Sequence, residues 1–222
     1  MSLISYNTIY SKRKTVALII ETDGTLSIRA PRRLGVEKIK AIVKQKKNWI
    51  LKKVKEKEKR KRFIPKQFTE GEKFLYLGRE YELNFVDARL RNVIFQDEFI
   101  VPVLKPAVLK KMLEKWYIAR AKQVIQERVK VYSDKIGVIF SKLRFSKAKS
   151  RWGSCSSKKT LSFNWRLIMA PLEIIDYVVI HELVHILEMN HSKKFWKKME
   201  EFSPGCKRSK KWLKDYGYLL NI

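Results

Sequence analysis

The chain carries three histidines, and all three fall between residues 181 and 191. They stand in the run His181-Glu182-Leu183-Val184-His185-Ile186-Leu187-Glu188-Met189-Asn190-His191. On a helix, residues four apart stack on one face, so the His181 and His185 rings lie one turn apart and can bind a single metal ion. Glu182 sits roughly a quarter-turn round. It is badly placed as an equivalent ligand and well placed to touch a water held on the metal. Zinc is the expected ion, since neutral imidazoles and an open fourth position suit it. A lone H-E-x-x-H match is often a surface helix or a satisfied core histidine. Here every histidine of the chain is gathered at ligand spacing, which decides for one zinc per chain.

The helix that must hold these groups is apolar nearly all round. Tyr177, Val178, Val179 and Ile180 precede the motif, and Leu183, Val184, Ile186 and Leu187 run through it, so it should be buried. A glutamate and two imidazoles inside such a helix cost free energy unless something binds or pairs them. Pro171 fits the first turn, where its missing N–H costs nothing. His191 follows His185 at the spacing of metzincins, which carry a glycine where this chain has Glu188. The turn is therefore expected at Met189-Asn190, because asparagine tolerates the left-handed conformation that ends helices. Ser192 then caps a further helix holding Phe195, Trp196, Met199 and Phe202. His191 is the expected third ligand. A carboxylate of that next helix, Glu200 or Glu201, is the rival, and Glu188 reads as a solvated helix-end residue.

Upstream of the motif the pattern predicts supporting elements. Strands over Thr15 to Ile20 and Thr25 to Ala30 flank a hairpin turn at Thr22-Asp23-Gly24. One long basic helix runs from Val36, with Val36, Ile39, Ile42, Val43, Trp49, Ile50 and Val54 on its apolar face, and ends in the run Lys52 to Arg62. Further hairpins are expected around Gly78-Arg79 and Gln96-Asp97-Glu98. From Pro106 a long core-packing helix reaches Ile136-Gly137. Strands over Leu143 to Ser146 and Thr160 to Asn164 follow, separated by a basic, turn-prone segment from Lys147 to Lys159. The expected organisation is an N-terminal α+β region over 1–104 and a second region over 105–222.

With 222 residues and 45% hydrophobic composition, the chain can bury one good core, or one core with an appended smaller unit. Cys155 and Cys206 form no C-x-x-C pair and no disulfide framework, so a reduced cytoplasm is the expected compartment. No stretch reads as a signal peptide or a membrane span, and no membrane partner is expected. Net charge is +28. Residues 1–62 hold 19 Lys and Arg against 5 Asp and Glu, and residues 105–222 hold 26 against 10. Residues 63–104 hold 5 against 7 and are near neutral. Lysine-rich helices are often simply solvated. An excess this large also attracts polyanions, so non-specific nucleic-acid contact stands beside that reading.

The residues also carry a resemblance. Arg151-Trp152-Gly153-Ser154-Cys155, Leu161-Ser162-Phe163-Asn164-Trp165-Arg166-Leu167-Ile168, Asp176-Tyr177-Val178-Val179, His181-Glu182-Leu183-Val184-His185 and Asn190-His191-Ser192 through Phe195-Trp196 resemble the YgjP-like metallopeptidases. These zincins are related in motif to SprT and Wss-type proteases. Softer matches at Ser11-Lys12-Arg13, Asp23-Gly24, Ala30-Pro31-Arg32 and Trp49-Ile50 extend the resemblance over nearly the whole chain. It implies an α+β fold with a zincin-like core, the active-site helix packed on a small sheet and a long backing helix. It also implies zinc-dependent hydrolysis of peptide bonds, with Glu182 as general base and a peptide or protein as substrate. The strand Leu161 to Asn164 is the expected edge for an extended peptide, although its pattern suits a core strand equally.

Weaker signals surround this centre. Asn164 and Arg166 are candidates to hold substrate backbone or developing charge, and Arg166 is equally a candidate partner for Asp176. Trp152 can stack on a base or belong to the core. Cys155 reads as a small buried hydrophobe. Two function classes follow: a zinc peptidase acting on proteins near nucleic acid, or a nucleic-acid-binding protein with a structural or vestigial metal site. A general base at Glu182 favours the first, because a structural site has no need of one.

Overall fold

A computed structural model describes residues 5–21, 23–61, 65–87, 89–148 and 150–222, with residues 56–61 described as backbone only. The chain is mixed α+β and divides into two compact units, Met1–Ile64 and Pro65–Ile222.

In the first unit, β1 (Tyr6–Ser11), β2 (Ala17–Ile20) and β3 (Leu26–Pro31) form a sheet in the order β1-β3-β2. β2 and β3 are the expected antiparallel pair. Between them Gly24 takes a φ of 94°, and the Asp23 carboxylate accepts the Thr25 N–H at 2.9 Å. Thr22 lies outside the described residues. β1, which the alternation pattern did not announce, runs parallel to β3. The single basic helix expected from Val36 is two helices: α1 (Val36–Gln45) and α2 (Lys47–Lys61), separated at Lys46. The helical hydrogen bonding continues across the break, from Lys46 N–H to Ile42 O and from Ile50 N–H to Lys46 O, each at 2.9 Å. Ile39, Val43 and Ile50 reach the core with Leu26, Ile28 and Ala30, while Trp49 stays 42% exposed. Of the Lys52 to Arg62 run, the side chains from residue 56 onward lie outside the described residues.

The second unit begins with β4 (Lys73–Tyr76), β5 (Arg79–Val86), β6 (Ile94–Phe95) and β7 (Phe99–Pro102), in the order β4-β5-β7-β6. The β4–β5 turn is tight because Leu77 and Gly78 both take positive φ, 48° and 80°. Next comes α3 (Pro106–Ile136), which has proline in its first turn and ends on Gly137 at φ 74°. Leu109, Leu113, Tyr117, Ala121, Ile125 and Val129 recur every fourth residue and are fully buried. Phe74, Leu83, Phe99 and Val101 share their core, and the Tyr117 hydroxyl donates to the Leu75 carbonyl at 2.8 Å. A boundary at 104/105 would cut through this core, which is why the compact units part at 64/65 instead.

β8 (Lys142–Ser146), β9 (Gly153–Cys155) and β10 (Thr160–Asn164) make the last sheet, in the order β8-β10-β9. Leu161 to Asn164 is therefore the central strand, parallel to β8 and antiparallel to β9, and the edge nearest the histidine helix is β9. Leu161, Phe163 and Asn164 are all buried, as a central strand requires. A 3-10 turn over Trp165–Met169 leads to α4 (Leu172–Val184), α5 (Lys193–Phe202) and α6 (Cys206–Tyr216). α4 packs against α3 on one side and β9 on another. Among the described residues no helix is long and apolar enough to cross a membrane.

Candidate metal centre

α4 is held at three levels. At its start, Gly78 lies so close that a β-carbon there would stand 2.7 Å from Pro171 Cγ, and Leu77 N–H donates to Ile168 O at 2.9 Å. At mid-helix, Asp176 accepts from Arg128 Nε at 2.6 Å, from Arg128 Nη2 at 2.8 Å and from the Tyr132 hydroxyl at 3.0 Å. Asp176 is thus the partner of Arg128 and not of Arg166. At its end, α4 stops at Val184, with His185 as C-cap still in right-handed conformation.

The chain reverses by tightening rather than by a left-handed residue. Ile186 N–H donates to Leu183 O and Leu187 N–H to Val184 O, each at 3.0 Å. Asn190 does not take positive φ, contrary to the expectation placed on it. Ser192 then caps α5, its hydroxyl accepting from Phe195 N–H at 3.3 Å.

This path brings His181, His185 and His191 together, one nitrogen from each lying within 4.8 Å of the others. His181 Nε2 and His191 Nε2 are 3.1 Å apart. The Nδ1 of His185 stands 3.1 Å from the Glu188 carbonyl, which fixes its N–H there and frees Nε2. Burial, assisted by His185, His191 and Lys210, lowers the His181 pKa to about 3, and burial likewise lowers that of His185. Burial thus favours the neutral form of the His181 and His185 rings, with a lone pair available on each. His181 Nδ1 is buried without a hydrogen-bond partner among the described residues. Ligand nitrogens at 2.0–2.1 Å from a tetrahedral zinc stand roughly 3.3 Å apart, so this donor set fits one such ion.

Glu182 is buried, 6% exposed. Burial raises its pKa to about 7, with Arg151 pulling the other way. Gly153 of β9 presses on it: a β-carbon there would meet Glu182 Oε1 at 2.5 Å and Cγ at 2.7 Å.

The profile of the YgjP-like metallopeptidase domain matches residues 14–216. The chain belongs to this family. It is a metallopeptidase, a hydrolase that uses a divalent metal. Among solved structures it is similar to the zymogen of Pyrococcus abyssi abylysin, at 24% identity and a TM-score of 0.36 over 39% of this chain and 86% of that one. It is similar too to the zymogen of Methanocaldococcus jannaschii jannalysin, at 24% identity and a TM-score of 0.34 over 42% and 92%. Among curated proteins none matches.

The remaining predicted residues of this YgjP-like metallopeptidase sit in supporting positions. Asn164 is buried, donates to Ala148 O at 2.7 Å and Arg151 O at 3.4 Å, and accepts from Arg166 N–H at 3.1 Å. It pins the strap that leads into β9, and Lys149 of that strap lies outside the described residues. Arg166 lies 4.6 Å over the Trp165 ring and donates to Asn221 Oδ1 at 3.2 Å, holding the C-terminal segment. Trp152 belongs to the core margin, where a β-carbon on Gly217 would stand 3.0 Å from its ring. Glu200, the rival ligand, accepts from Gly205 N–H at 3.1 Å and Cys206 Sγ at 3.3 Å, so it caps the start of α6. Gly153 was not singled out as a site residue. A glycine inside a strand, marking close approach of another group, was the available signal.

Proposed function

We propose that this metallopeptidase holds one zinc ion per chain on His181, His185 and His191 in a zincin-like core, with Glu182 as the general base of peptide-bond hydrolysis. The observation that carries this reading is the convergence of three imidazoles within 4.8 Å beside a buried carboxylate. When bound, the zinc supplies Lewis acidity, polarising the scissile carbonyl and acidifying a water. Glu182 takes the proton of the attacking water and returns it to the leaving amine. Its buried setting raises its proton affinity, and Gly153 fixes where its oxygens lie. β9, at the sheet edge, offers its outer side to an extended substrate strand, so the peptide is laid next to Glu182.

The reading includes two finer points. Substrates are proteins associated with nucleic acid, supported by the net charge of +28 and its two basic blocks. The compartment is the cytoplasm, supported by Cys155 and Cys206, which are both free. A purely structural metal site does not need a carboxylate buried at Glu182, whose desolvation is unfavourable. The test is Glu182→Gln: the variant should keep fold and zinc and lose turnover, since an amide accepts no proton. Unchanged peptide cleavage by that variant would remove Glu182 from the role.

A further inference from the structure

His185 and His191 are oriented differently. The His185 ring is fixed by the Glu188 carbonyl at its Nδ1. A metal-ligating histidine commonly uses such a hydrogen bond on its second nitrogen to set ring orientation. His191 has no carbonyl or carboxylate partner among the described residues, lies beyond the end of α4 and is exposed. What meets its ring is aromatic. Trp196 lies stacked on it, with centroids 5.8 Å apart and planes at 25°. Phe195 approaches edge-on at 4.8 Å and also touches His181 at 5.0 Å and His185 at 4.6 Å.

Both aromatic residues come from the first turn of α5, whose start is set by the Ser192 cap immediately after His191. They divide the work. Phe195 is fully buried and serves as common floor for the three rings, whereas Trp196 is partly exposed. On its surroundings Trp196 also carries Lys210 of α6, whose Nζ lies 4.5 Å from its ring centroid. The indole is therefore held from a second helix while it meets the imidazole.

We propose that Trp196 is a positioning residue for His191, its stacked indole orienting the third ligand as the Glu188 carbonyl orients the second. This rests on the reading of the three histidines as metal ligands. Trp196 also meets the His181 ring, less closely and tilted, at 6.3 Å and 58°. Removing the indole should therefore weaken metal binding chiefly through His191, on which it is stacked.

The experiment is a double-mutant cycle on the full-length apo chain, with zinc affinity read by competition against a chromophoric chelator. Trp196→Leu should weaken zinc binding by about 10- to 100-fold, the range found when an orienting partner of a ligand is lost. Trp196→Phe, which keeps a stacking ring, should recover most of it. In a His191→Ala background, adding Trp196→Leu should change affinity by no more than about twofold, because the group it acts through is gone. Circular dichroism checks the fold, and Trp196→Gln takes the place of leucine in the cycle if leucine does not fold. Wild-type affinity in Trp196→Leu, or an equal loss in both backgrounds, overturns the inference while the site reading stands. A wild-type chain that binds no zinc overturns both.

Discussion

Replacing Gly153 by alanine adds one methyl group at the place where β9 meets Glu182. The added carbon would stand 2.5 Å from Glu182 Oε1, 2.7 Å from Cγ and 2.9 Å from Cδ, where ordinary contacts begin near 3.4 Å. The carboxyl oxygen must therefore retreat by about 0.9 Å, or β9 must move off α4 by a similar distance. Either way Glu182, the proposed base, leaves its place. A misplacement on the order of 1 Å costs about 100-fold in rate, within the contribution of roughly 10²–10⁴ that a general base supplies. The three atoms nearest the added methyl group all belong to Glu182 and none to a histidine, so metal content should hold. Overpacking costs about 1–3 kcal/mol, so a folded but less stable protein is expected. The assay is kcat/KM on a fluorogenic peptide library beside zinc content by elemental analysis and a chemical unfolding curve. Gly153→Ala with full zinc and wild-type kcat/KM would refute the argument that β9 sets the position of Glu182. Loss of zinc along with activity would refute it equally, since the damage would then lie at the ligands.

His185→Ala should weaken zinc binding so far that the purified variant no longer carries stoichiometric zinc, although a measurable affinity remains with two imidazoles; stoichiometric zinc in that variant would refute the proposed role of His185. Asp176→Asn should destabilise the second unit by about 2 kcal/mol, since three hydrogen bonds to a partly buried carboxylate are weakened and Arg128 loses its counter-ion. An unfolding curve superimposable on wild type would exclude that role. The chain should bind duplex and single-stranded nucleic acid with little sequence preference and an affinity that falls steeply with salt. Replacing the basic residues of the Lys52 to Arg62 run by glutamine should flatten that slope and leave zinc content alone. No binding at low salt would detach nucleic acid from the proposed function.

The gathering of the histidines was more legible in this sequence than the architecture around them. His181, Glu182 and His185 declare themselves because helical spacing translates directly into a shared face, and apolar neighbours such as Val179 and Val184 place that face indoors. His191 was legible from its type alone, since no other histidine competes with it. The turn that delivers it was not. Sequence reasoning assigned the reversal to Asn190, whereas i to i−3 hydrogen bonds at Ile186 and Leu187 accomplish it without positive φ. Whether Leu161 to Asn164 lies at the edge or the centre of its sheet is open in the sequence for a related reason. Period-two alternation identifies β10 as a strand, but the order β8-β10-β9 depends on partners far away in sequence. Three residues from Gly153 to Cys155 are too short to show a pattern. Similarly, Lys46 carries no helix-breaking side chain, so nothing in the residue types marks the division of α1 from α2.

The near-neutral stretch from 65 to 104 gains its meaning from α4. An apolar helix can slide or rotate along its neighbours unless directional contacts fix it, because hydrophobic burial is not directional. Two such fixtures act well away from the histidines. The Arg128–Asp176–Tyr132 cluster sets rotation against α3, with planar two-point pairing between guanidinium and carboxylate. The β4–β5 turn sets the axial position. Gly78 touches Pro171, and the backbone N–H groups of Leu77 and Gly78 donate to Ile168 and Met169 just before the helix begins. A side chain at Gly78 would strike Pro171 and would also have to adopt a φ of 80°, so both the contact and the turn require glycine there. Residues 65–104 hold none of the three histidines or Glu182, yet they set where α4 starts. The positions of His181 and Glu182 relative to Gly153 follow from that start, so this hairpin belongs to the machinery of the site and the unit boundary falls before it.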